Sequence, residues 1–254
     1  MMKITLLGTG TSCGVPVLGC QCDVCTSSDS HDKRTRCSAL VETDSTRILI
    51  DCGPDFRQQM MPQDFRRIDG ILVTHSHYDH VGGIDDLRPY CAFGDIDIYA
   101  NRTSSDSLRQ TIPYCFYKKK YPGVPEIHLN VLEPHKPLRI GDIDVMPIEV
   151  MHDRLPILGF RFGRFTYITD MKTIADAELP YLKGVETLVV NALRFDHPHH
   201  SHQLVDDAIG FARRVGASRT IFIHCCHRMG RHDEACSRLP EGFELGYDGL
   251  TFEV

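Results

Sequence analysis

The stretch that decides the fold is Ile71-Leu72-Val73-Thr74-His75-Ser76-His77-Tyr78-Asp79-His80, an apolar strand pattern that ends in a dense run of histidine and aspartate. Because side chains alternate along an extended segment, His75 and His77 point the same way. A turn after them carries Asp79 and His80 to a second, neighbouring position. This HxHxDH run therefore predicts ligands for two adjacent metal ions.

Three further candidate ligands, His152, Asp170 and His224, also stand after apolar strand patterns. Each alone is more often a hydrogen-bonding group than a ligand, but polar residues at the ends of strands collect along one edge of a sheet. We therefore expect Asp170 to bridge two open metal sites of the hydrolytic kind. The remaining ligands divide between the two ions as His75, His77 and His152 for one, and Asp79, His80 and His224 for the other.

The composition is that of a soluble globular protein. The chain has 254 residues, 42% of them hydrophobic and 24% charged, with 28 Lys and Arg against 34 Asp and Glu, so its net charge is −6. An acidic balance argues against duplex nucleic acid as the main partner, because that binding depends on neutralising phosphates. No signal peptide and no apolar run of about 18 residues is present, which predicts a cytoplasmic protein without a membrane anchor.

The hydropathy pattern predicts one α+β domain over residues 1–254, with hairpins and with helices covering sheets. Turn residues at 43–45 and at Gly141-Asp142 join neighbouring strands. Helices are expected at 173–183, capped by Thr173 and Asp176, and at 204–215. The predicted strands are residues 3–7, 39–42, 47–51, 70–74, 96–99, 138–140, 143–150, 159–162, 166–169, 187–191, 220–223 and 249–254.

A second candidate metal site lies in Gly19-Cys20-Gln21-Cys22-Asp23-Val24-Cys25. This CxCxxC run offers three thiolates, whereas a closed tetrahedral zinc site needs a fourth ligand. The segment Cys225-Cys226-His227 lies just past His224 and offers candidates. Unrelated reduced thiols or a disulfide are the alternatives, although an odd count of 11 cysteines without a secretion signal favours metal or thiol chemistry.

Taken together, these motifs resemble those of the metallo-β-lactamase superfamily. Asp51 within residues 49–53, the HxHxDH run, His152, Asp170 and His224 match its ligand motifs in order and approximate spacing, over nearly the whole chain. The resemblance implies an αββα sandwich, in which two mixed β-sheets pack face to face with helices outside. It also implies that Asp51 is a buried carboxylate that braces the histidine loop and is not a ligand.

Within that superfamily, residues 8–16, the CxCxxC run, residues 223–227 and the tail 242–249 resemble the cyclic phosphodiesterases typified by phosphoribosyl 1,2-cyclic phosphate phosphodiesterase. The resemblance implies a structural zinc in a small loop at about residues 13–37, held by Cys20, Cys22, Cys25 and His227. Ile223 replaces a threonine of that family, and Cys225-Cys226 replace its usual residues, which puts a competing thiol next to the site.

The resemblance also assigns His202 an acid or phosphate-binding role. Its place before the predicted helix suits an anion, because free amides and the helix dipole favour negative charge there. His199 and His200 are close enough to compete for the role, and residues 197–200 are otherwise an exposed His/Pro loop. We expect Asp79 and His202 to be the catalytic residues.

A basic and aromatic patch at residues 114–123 stands out in an acidic chain. Phosphate binding, base stacking and a dimer face are possible roles for it, and a solvated rim is favoured over them. The resemblance is weakest over residues 91–135, which contain this patch.

The predicted function is that of a dinuclear metal-dependent phosphodiesterase. Two zinc, manganese or iron ions would generate a hydroxide that opens a small cyclic phosphodiester, and His202 would protonate the leaving alkoxide. The expected partner is a small phosphorylated substrate, and a homodimer is the expected oligomer. The alternatives are a carbonyl or thioester hydrolase of the same fold, a nuclease of the transfer-RNA 3′-processing type, and a carrier like the pyrroloquinoline quinone biosynthesis protein.

Overall fold

Two mixed β-sheets, each of seven strands, form the centre of the computed structural model, which describes residues 1–254. The first sheet contains, in spatial order, β14 (Thr251–Glu253), β1 (Lys3–Gly8), β2 (Ser38–Glu42), β3 (Arg47–Ile50), β4 (Gly70–Leu72), β5 (Ile96–Ala100) and β6 (Ile127–Val131). The second contains β13 (Phe243–Leu245), β12 (Arg219–Ile223), β11 (Thr187–Asn191), β10 (Phe165–Ile168), β9 (Leu155–Phe162), β8 (Ile143–His152) and β7 (Leu138–Ile140).

Each sheet has an antiparallel half and a parallel half. In the first, β14, β1, β2 and β3 pair antiparallel, and β3 to β6 are parallel. In the second, β7 to β10 pair antiparallel, and β10 to β13 are parallel. The hairpins predicted at 43–45 and at Gly141-Asp142 are thus β2–β3 and β7–β8.

The core confirms the αββα sandwich. Ile48 and Ile50 of β3 belong to a cluster of 22 buried residues that also contains Phe160 and Ile221 of the second sheet. Leu49, between them, points to the opposite face and joins a cluster of 19 residues. A third cluster, also of 19 residues, lies on the outer face of the second sheet. Alternation along the strands therefore fills a central layer and two outer layers beneath the helices.

The helices cover those outer layers. The α-helices are α1 (Phe56–Met60), α2 (Tyr78–Val81), α3 (Arg102–Thr111), α4 (Val205–Val215) and α5 (His232–Ser237). The 3₁₀ helices are Ser30–Asp32, Ile84–Phe93, Pro113–Phe116, Asp176–Leu182 and His227–Met229. The longest α-helix, α4, buries Val205, Ala208, Phe211 and Ala212 and ends at Gly216 with φ of 80°, close to the prediction. No helix has the length and apolar character needed to cross a membrane.

The prediction of an α-helix at 173–183 is wrong. Only Asp176–Leu182 is helical, in the 3₁₀ form, and the residue that precedes it is Ala175. Thr173 does not cap this helix, since the N-cap position is Ala175, and Thr173 instead pairs with Met151. Pro180 lies inside the segment and has no N–H to donate, which explains why a longer helix does not form.

Two strands were not predicted, β6 and β13. In β6 the sequence Ile-His-Leu-Asn-Val buries only Ile127 fully, so that its apolar signal is weak. In β13 only three residues pair, beside β12 in the parallel half of the sheet. Both strands owe their conformation to the neighbouring strand more than to their own composition.

A carboxylate near the carboxyl terminus anchors the amino-terminal loop. Asp248 Oδ1 accepts hydrogen bonds from the N–H and the hydroxyl of Thr9, at 2.9 and 2.8 Å. Its Oδ2 accepts from the N–H and the hydroxyl of Thr35, both at 2.6 Å. Arg34 Nη1 adds a bond of 2.5 Å to the carbonyl of Gly246. These contacts hold both ends of the segment that contains the CxCxxC run.

We expect Asp248→Ala to lower the free energy of unfolding by about 3 kcal/mol, because four donors in a mostly buried site lose their acceptor. Urea unfolding followed by circular dichroism measures this loss. Asp144, whose side chain is 74% exposed, supplies the matched control Asp144→Ala, which should change little. Equal losses in the two variants would show that the Asp248 contacts contribute nothing specific.

Candidate metal centre

The structure brings the seven predicted metal ligands together at one edge of the sandwich. His75, His77 and His152 form one group, and Asp79, His80, Asp170 and His224 form another. Within each group, the candidate ligand atoms all lie within 4.8 Å of one another. Except for His77, these side chains are buried.

Asp170 lies between the two groups. Its Oδ2 is 3.8 Å from His75 Nε2 in the first group. Its Oδ1 is 3.4 Å from His80 Nε2 and 3.2 Å from His224 Nε2 in the second. One oxygen of the carboxylate therefore faces each group, and the bridging of two cations by Asp170 stays a prediction.

The local backbone conformation directs these candidate ligand side chains toward the centre. His77 is the extended residue before α2, and the first turn of that helix presents Asp79 and His80. Asp170 and His224 follow β10 and β12 with φ of 54° and 57°, in the left-handed region. That region is unfavourable for residues other than glycine, and such strain is typical of functional sites.

Asp51 braces the histidine loop and belongs to neither group. Its Oδ1 accepts a bond from the N–H of Thr74 at 2.8 Å, and its Oδ2 accepts one from the Thr74 hydroxyl at 2.8 Å. His80 Nδ1 donates to the same Oδ2 at 2.7 Å. With Nδ1 engaged in this way, the Nε2 of His80 is the atom left to face Asp79 and Asp170.

The second group has a strong electrostatic imbalance. Burial would raise the pKa of Asp170, but His224 and His80 outweigh it and hold that pKa well below its usual value. Burial likewise opposes protonation of His224, yet Asp170 and Asp79 raise the pKa of this imidazole to about 9. The two buried carboxylates are thus stabilised by nearby positive charge, which protons on the imidazoles or metal cations can supply.

Unpartnered nitrogens show that the residues fit a metal. His80 Nε2 and both ring nitrogens of His224 are buried and form no well-aligned hydrogen bond, although Asp170 Oδ1 lies 3.4 Å from His80 Nε2 and 3.2 Å from His224 Nε2. Leaving such atoms unpaired is costly, and a cation that takes the one lone pair of each neutral ring would reduce that cost. Imidazole and carboxylate donors in this arrangement suit divalent zinc, manganese or iron.

His202 lies beside this centre, and its catalytic role stays a prediction. Its ring lies 4.8 Å from that of His152 and 4.6 Å from that of His224, between centroids. Burial, together with His224, lowers the pKa of His202 to about 2, so the imidazole is neutral in this state. Its Nδ1 is buried without a partner. His202 also groups with His152 and Asp170, which makes it a further potential ligand.

The other histidines of this loop extend outward from His202. The ring of His199 lies 4.8 Å from that of His202 and is half-buried. His200 stacks on His199 at 4.5 Å and is exposed, as is His197. Of the three candidates for the acid, only His202 contacts the side chains of both metal groups.

The second predicted site is also assembled. Cys20, Cys22, Cys25 and His227 have candidate ligand atoms within 4.8 Å of one another. His227 Nδ1 is 3.3 Å from the Sγ atoms of both Cys20 and Cys22. No disulfide forms among the 11 cysteines. Cys225 packs in the core of the outer layer beneath α4, so its thiol does not compete for this site.

Lys172 was missed by the reasoning from sequence. Its Nζ donates a hydrogen bond of 3.1 Å to the carbonyl of His202. The available signal was its place two residues after Asp170, in the segment that follows β10. The basic patch at 114–123, by contrast, packs on the outer face, where Cys115 joins the outer core and Tyr114 donates to Asp85 at 2.7 Å.

Comparison with known proteins agrees with this geometry. The family described as beta-lactamase superfamily domain matches residues 46–225. The chain belongs to the beta-lactamase superfamily. Within this superfamily, the crystal structure of a new diphosphatase from the PhnP family superposes with a TM-score of 0.91 and 36% identity, over 99% of this chain and 96% of that one. The chain is therefore similar, along almost its whole length, to a PhnP-family structure.

Two further similarities give less information about activity. An octanoyltransferase of Porphyromonas gingivalis is 45% identical over 250 residues, which are 98% of this chain but 51% of that protein. The chain described here thus spans about half the length of that curated relative. Zinc-bound PqqB from Methylobacterium extorquens superposes with a TM-score of 0.75 at 18% identity, over 99% and 100% of the two chains, and shows the fold alone.

We expect Asp51→Asn to weaken active-site metal binding about 10- to 100-fold, the usual effect of losing a partner behind a ligand. The asparagine amide would set an N–H against the N–H of His80 Nδ1 and turn that ring. Competition with a chromogenic chelator measures the affinity, and Asp144→Asn is the control. Unchanged affinity in Asp51→Asn would refute the bracing role.

Proposed function

We propose that this protein is a hydrolase, namely a dinuclear metal-dependent phosphodiesterase that opens a small cyclic phosphodiester. The observation that carries the proposal is the position of Asp170, with one oxygen toward each of two ligand groups, and of His202 in contact with both. The likeness to a PhnP-family structure supports phosphate chemistry. The substrate is a small phosphorylated molecule.

The first group and the second would each hold one divalent cation, zinc, manganese or iron, with Asp170 shared. Such a pair supplies a water of lowered pKa and offsets charge on the phosphate oxygens. The protein contributes orientation: Asp51 fixes His80, and the carbonyl of Ser201 accepts a bond of 3.0 Å from His152 Nδ1. Both contacts leave the Nε2 atoms of these rings to face the centre.

His202 acts as the acid. It is neutral in the free protein because burial and His224 lower its pKa to about 2. An anionic diester beside it favours the protonated imidazole, since an opposite charge nearby stabilises the charged form. A bound diester would therefore raise the pKa of His202, and the protonated imidazole would give its proton to the leaving alkoxide oxygen.

The thiolate cluster would hold a structural zinc. Its four ligands suit a closed tetrahedral site, which zinc prefers. His227 lies three residues after His224, so this zinc would tie the loop of Cys20, Cys22 and Cys25 to the segment that ends in the active site. We assign it no part in the reaction.

A second candidate substrate is a diphosphate diester, because the PhnP-family relative is described as a diphosphatase. Water would form the new bond to one phosphorus, the bridging P–O bond would break, and His202 would protonate the leaving phosphate. A thioester is a weaker candidate. The name octanoyltransferase belongs to a protein twice as long, and the function of its other half is not thereby assigned to this chain.

Phosphorus NMR of the metal-loaded protein tests the proposal. The panel is 5-phosphoribosyl 1,2-cyclic phosphate, adenosine 2′,3′-cyclic phosphate, a diphosphate diester and an activated linear diester. We expect ring opening of a cyclic diester and none with Asp79→Ala. Cleavage of the diphosphate alone would select the second candidate, and no turnover of any diester would contradict both.

Metal analysis of Asp79→Ala gives an independent readout. Loss of one carboxylate from the second group should remove active-site metal and keep the zinc at Cys20, Cys22 and Cys25. Elemental analysis after gel filtration measures both. Retention of the full metal content with full activity would refute the dinuclear centre.

His202→Ala should lower kcat by about 100-fold or more, the usual contribution of an acid, and leave the metal content unchanged. Turnover of an activated diester, whose leaving group needs no proton, should fall much less. A loss of metal in His202→Ala would instead make this residue a ligand. The exposed His197 supplies the control His197→Ala.

A further inference from the structure

We propose that Thr169 and Asn191 are positioning residues, which hold the Asp170 carboxylate in the orientation that faces both ligand groups. Both side chains are fully buried, and neither belongs to a ligand group. The inference rests on the proposed function, since it concerns the carboxylate that the two cations would share. It deepens that function by naming the residues on which the sharing depends.

The backbone at Asp170 needs support from outside the sheet. Strand β10 ends at Ile168, and its pairing with β11 ends at the same residue, opposite Val190. Asp170 therefore lies beyond the regular ladder, with φ of 54° in the left-handed region. A residue with a side chain stays in that region only where its surroundings hold it there.

Asn191 supplies this support for the backbone. It is the last residue of β11, the strand next to β10. Its Oδ1 accepts a hydrogen bond of 2.8 Å from the N–H of Met171, and its Nδ2 donates one of 2.9 Å to the carbonyl of Met171. The side-chain amide thus pairs with both backbone polar groups of the residue that follows Asp170, and it extends the contact between the two strands past the end of β10.

Thr169 fixes the carboxylate itself. Its hydroxyl donates a hydrogen bond of 2.6 Å to Asp170 Oδ1. This oxygen is the one that faces His80 and His224, whereas Oδ2 faces His75 and accepts no hydrogen bond from the chain. Rotation of the carboxylate would break the Thr169 bond, and a hydrogen bond to a buried charged group is among the stronger ones. The hydroxyl therefore decides which oxygen each ligand group meets.

A set of threonine variants separates positioning from a general contribution to stability. Thr169→Val removes the hydroxyl at nearly constant volume, and Thr169→Ser keeps it. Thr166 lies on the same strand, is equally buried and has a hydroxyl without a partner, so Thr166→Val is the matched control.

We expect Thr169→Val to weaken zinc binding at the active site about tenfold, as is usual when a partner behind a ligand is lost. Thr169→Ser and Thr166→Val should keep the wild-type affinity. Competition with a chromogenic chelator measures the affinity, and the zinc at Cys20, Cys22 and Cys25 serves as an internal reference for an intact fold. Electron paramagnetic resonance of the manganese-loaded protein adds a spectroscopic readout: coupling between two ions should weaken in Thr169→Val and return in Thr169→Ser.

Asn191→Leu removes both bonds to Met171 at similar side-chain size and should lower the same affinity. Wild-type affinity in this variant would remove Asn191 from the positioning role, and the Thr169 comparison stands without it.

Unchanged affinity in Thr169→Val, an equal loss in Thr166→Val, or a loss that Thr169→Ser does not restore would overturn the inference for Thr169. These measurements need no substrate, so they are independent of turnover. A wild-type centre that binds one cation, with an affinity that still falls in Thr169→Val, would count against the proposed function and in favour of the positioning role.

Discussion

A buried carboxylate, Asp170, is the group on which the rest of the site depends. It is 1% exposed, yet it lies within 3.8 Å of imidazole nitrogens from His75, His80 and His224. A charge buried to this degree is costly unless it is balanced. In the free protein, protonated imidazoles provide the balance. Metal cations would displace those protons, so binding of metal would release protons and weaken as the pH falls.

The fold brings these charged residues together because the strands that precede them end at the same edge of the sandwich. Asp170 follows β10, His224 follows β12, and the HxHxDH run follows β4. Two carboxylates outside the cluster hold the loops at this edge through hydrogen bonds. Asp51 fixes the histidine loop, and Asp248 ties Thr9 and Thr35 together behind it. The centre is therefore set by hydrogen bonds that do not themselves touch a metal.

Much of this arrangement could be predicted from sequence, and the reason is physical. Strands with a clear alternation of apolar and polar residues, such as β5, are recognisable from the sequence, and polar residues that follow neighbouring strands collect at one edge of the sheet. The failures have equally local causes. Pro180 stops the expected α-helix, while β6 and β13 are short or weakly apolar and are stabilised by their neighbours.

The contacts that the sequence could not predict are those between distant residues with no motif. Thr35 and Asp248 are separated by 213 positions, and no sequence pattern in either segment indicates that the two are in contact. Lys172 meets the carbonyl of His202 across 30 positions. Such contacts depend on how two loops are placed by the sheets, which is a property of the whole fold and not of a local pattern.

The candidate site joins contacts from several parts of the chain. Asp170 faces two ligand groups, the ring of His202 contacts both, and Lys172 donates a hydrogen bond to the carbonyl of His202. A separate cluster of Cys20, Cys22, Cys25 and His227, the last of them three residues beyond His224, brings the amino-terminal loop next to the same segment.

Anomalous X-ray diffraction from crystals of the metal-loaded protein tests the central claim most directly. Data collected at the absorption edges of zinc, manganese and iron would locate and identify each ion. The account predicts two peaks on either side of the Asp170 carboxylate, each in contact with one of its oxygens, and a separate zinc peak among Cys20, Cys22, Cys25 and His227. A single peak at the centre, or two peaks that do not share Asp170, would contradict it.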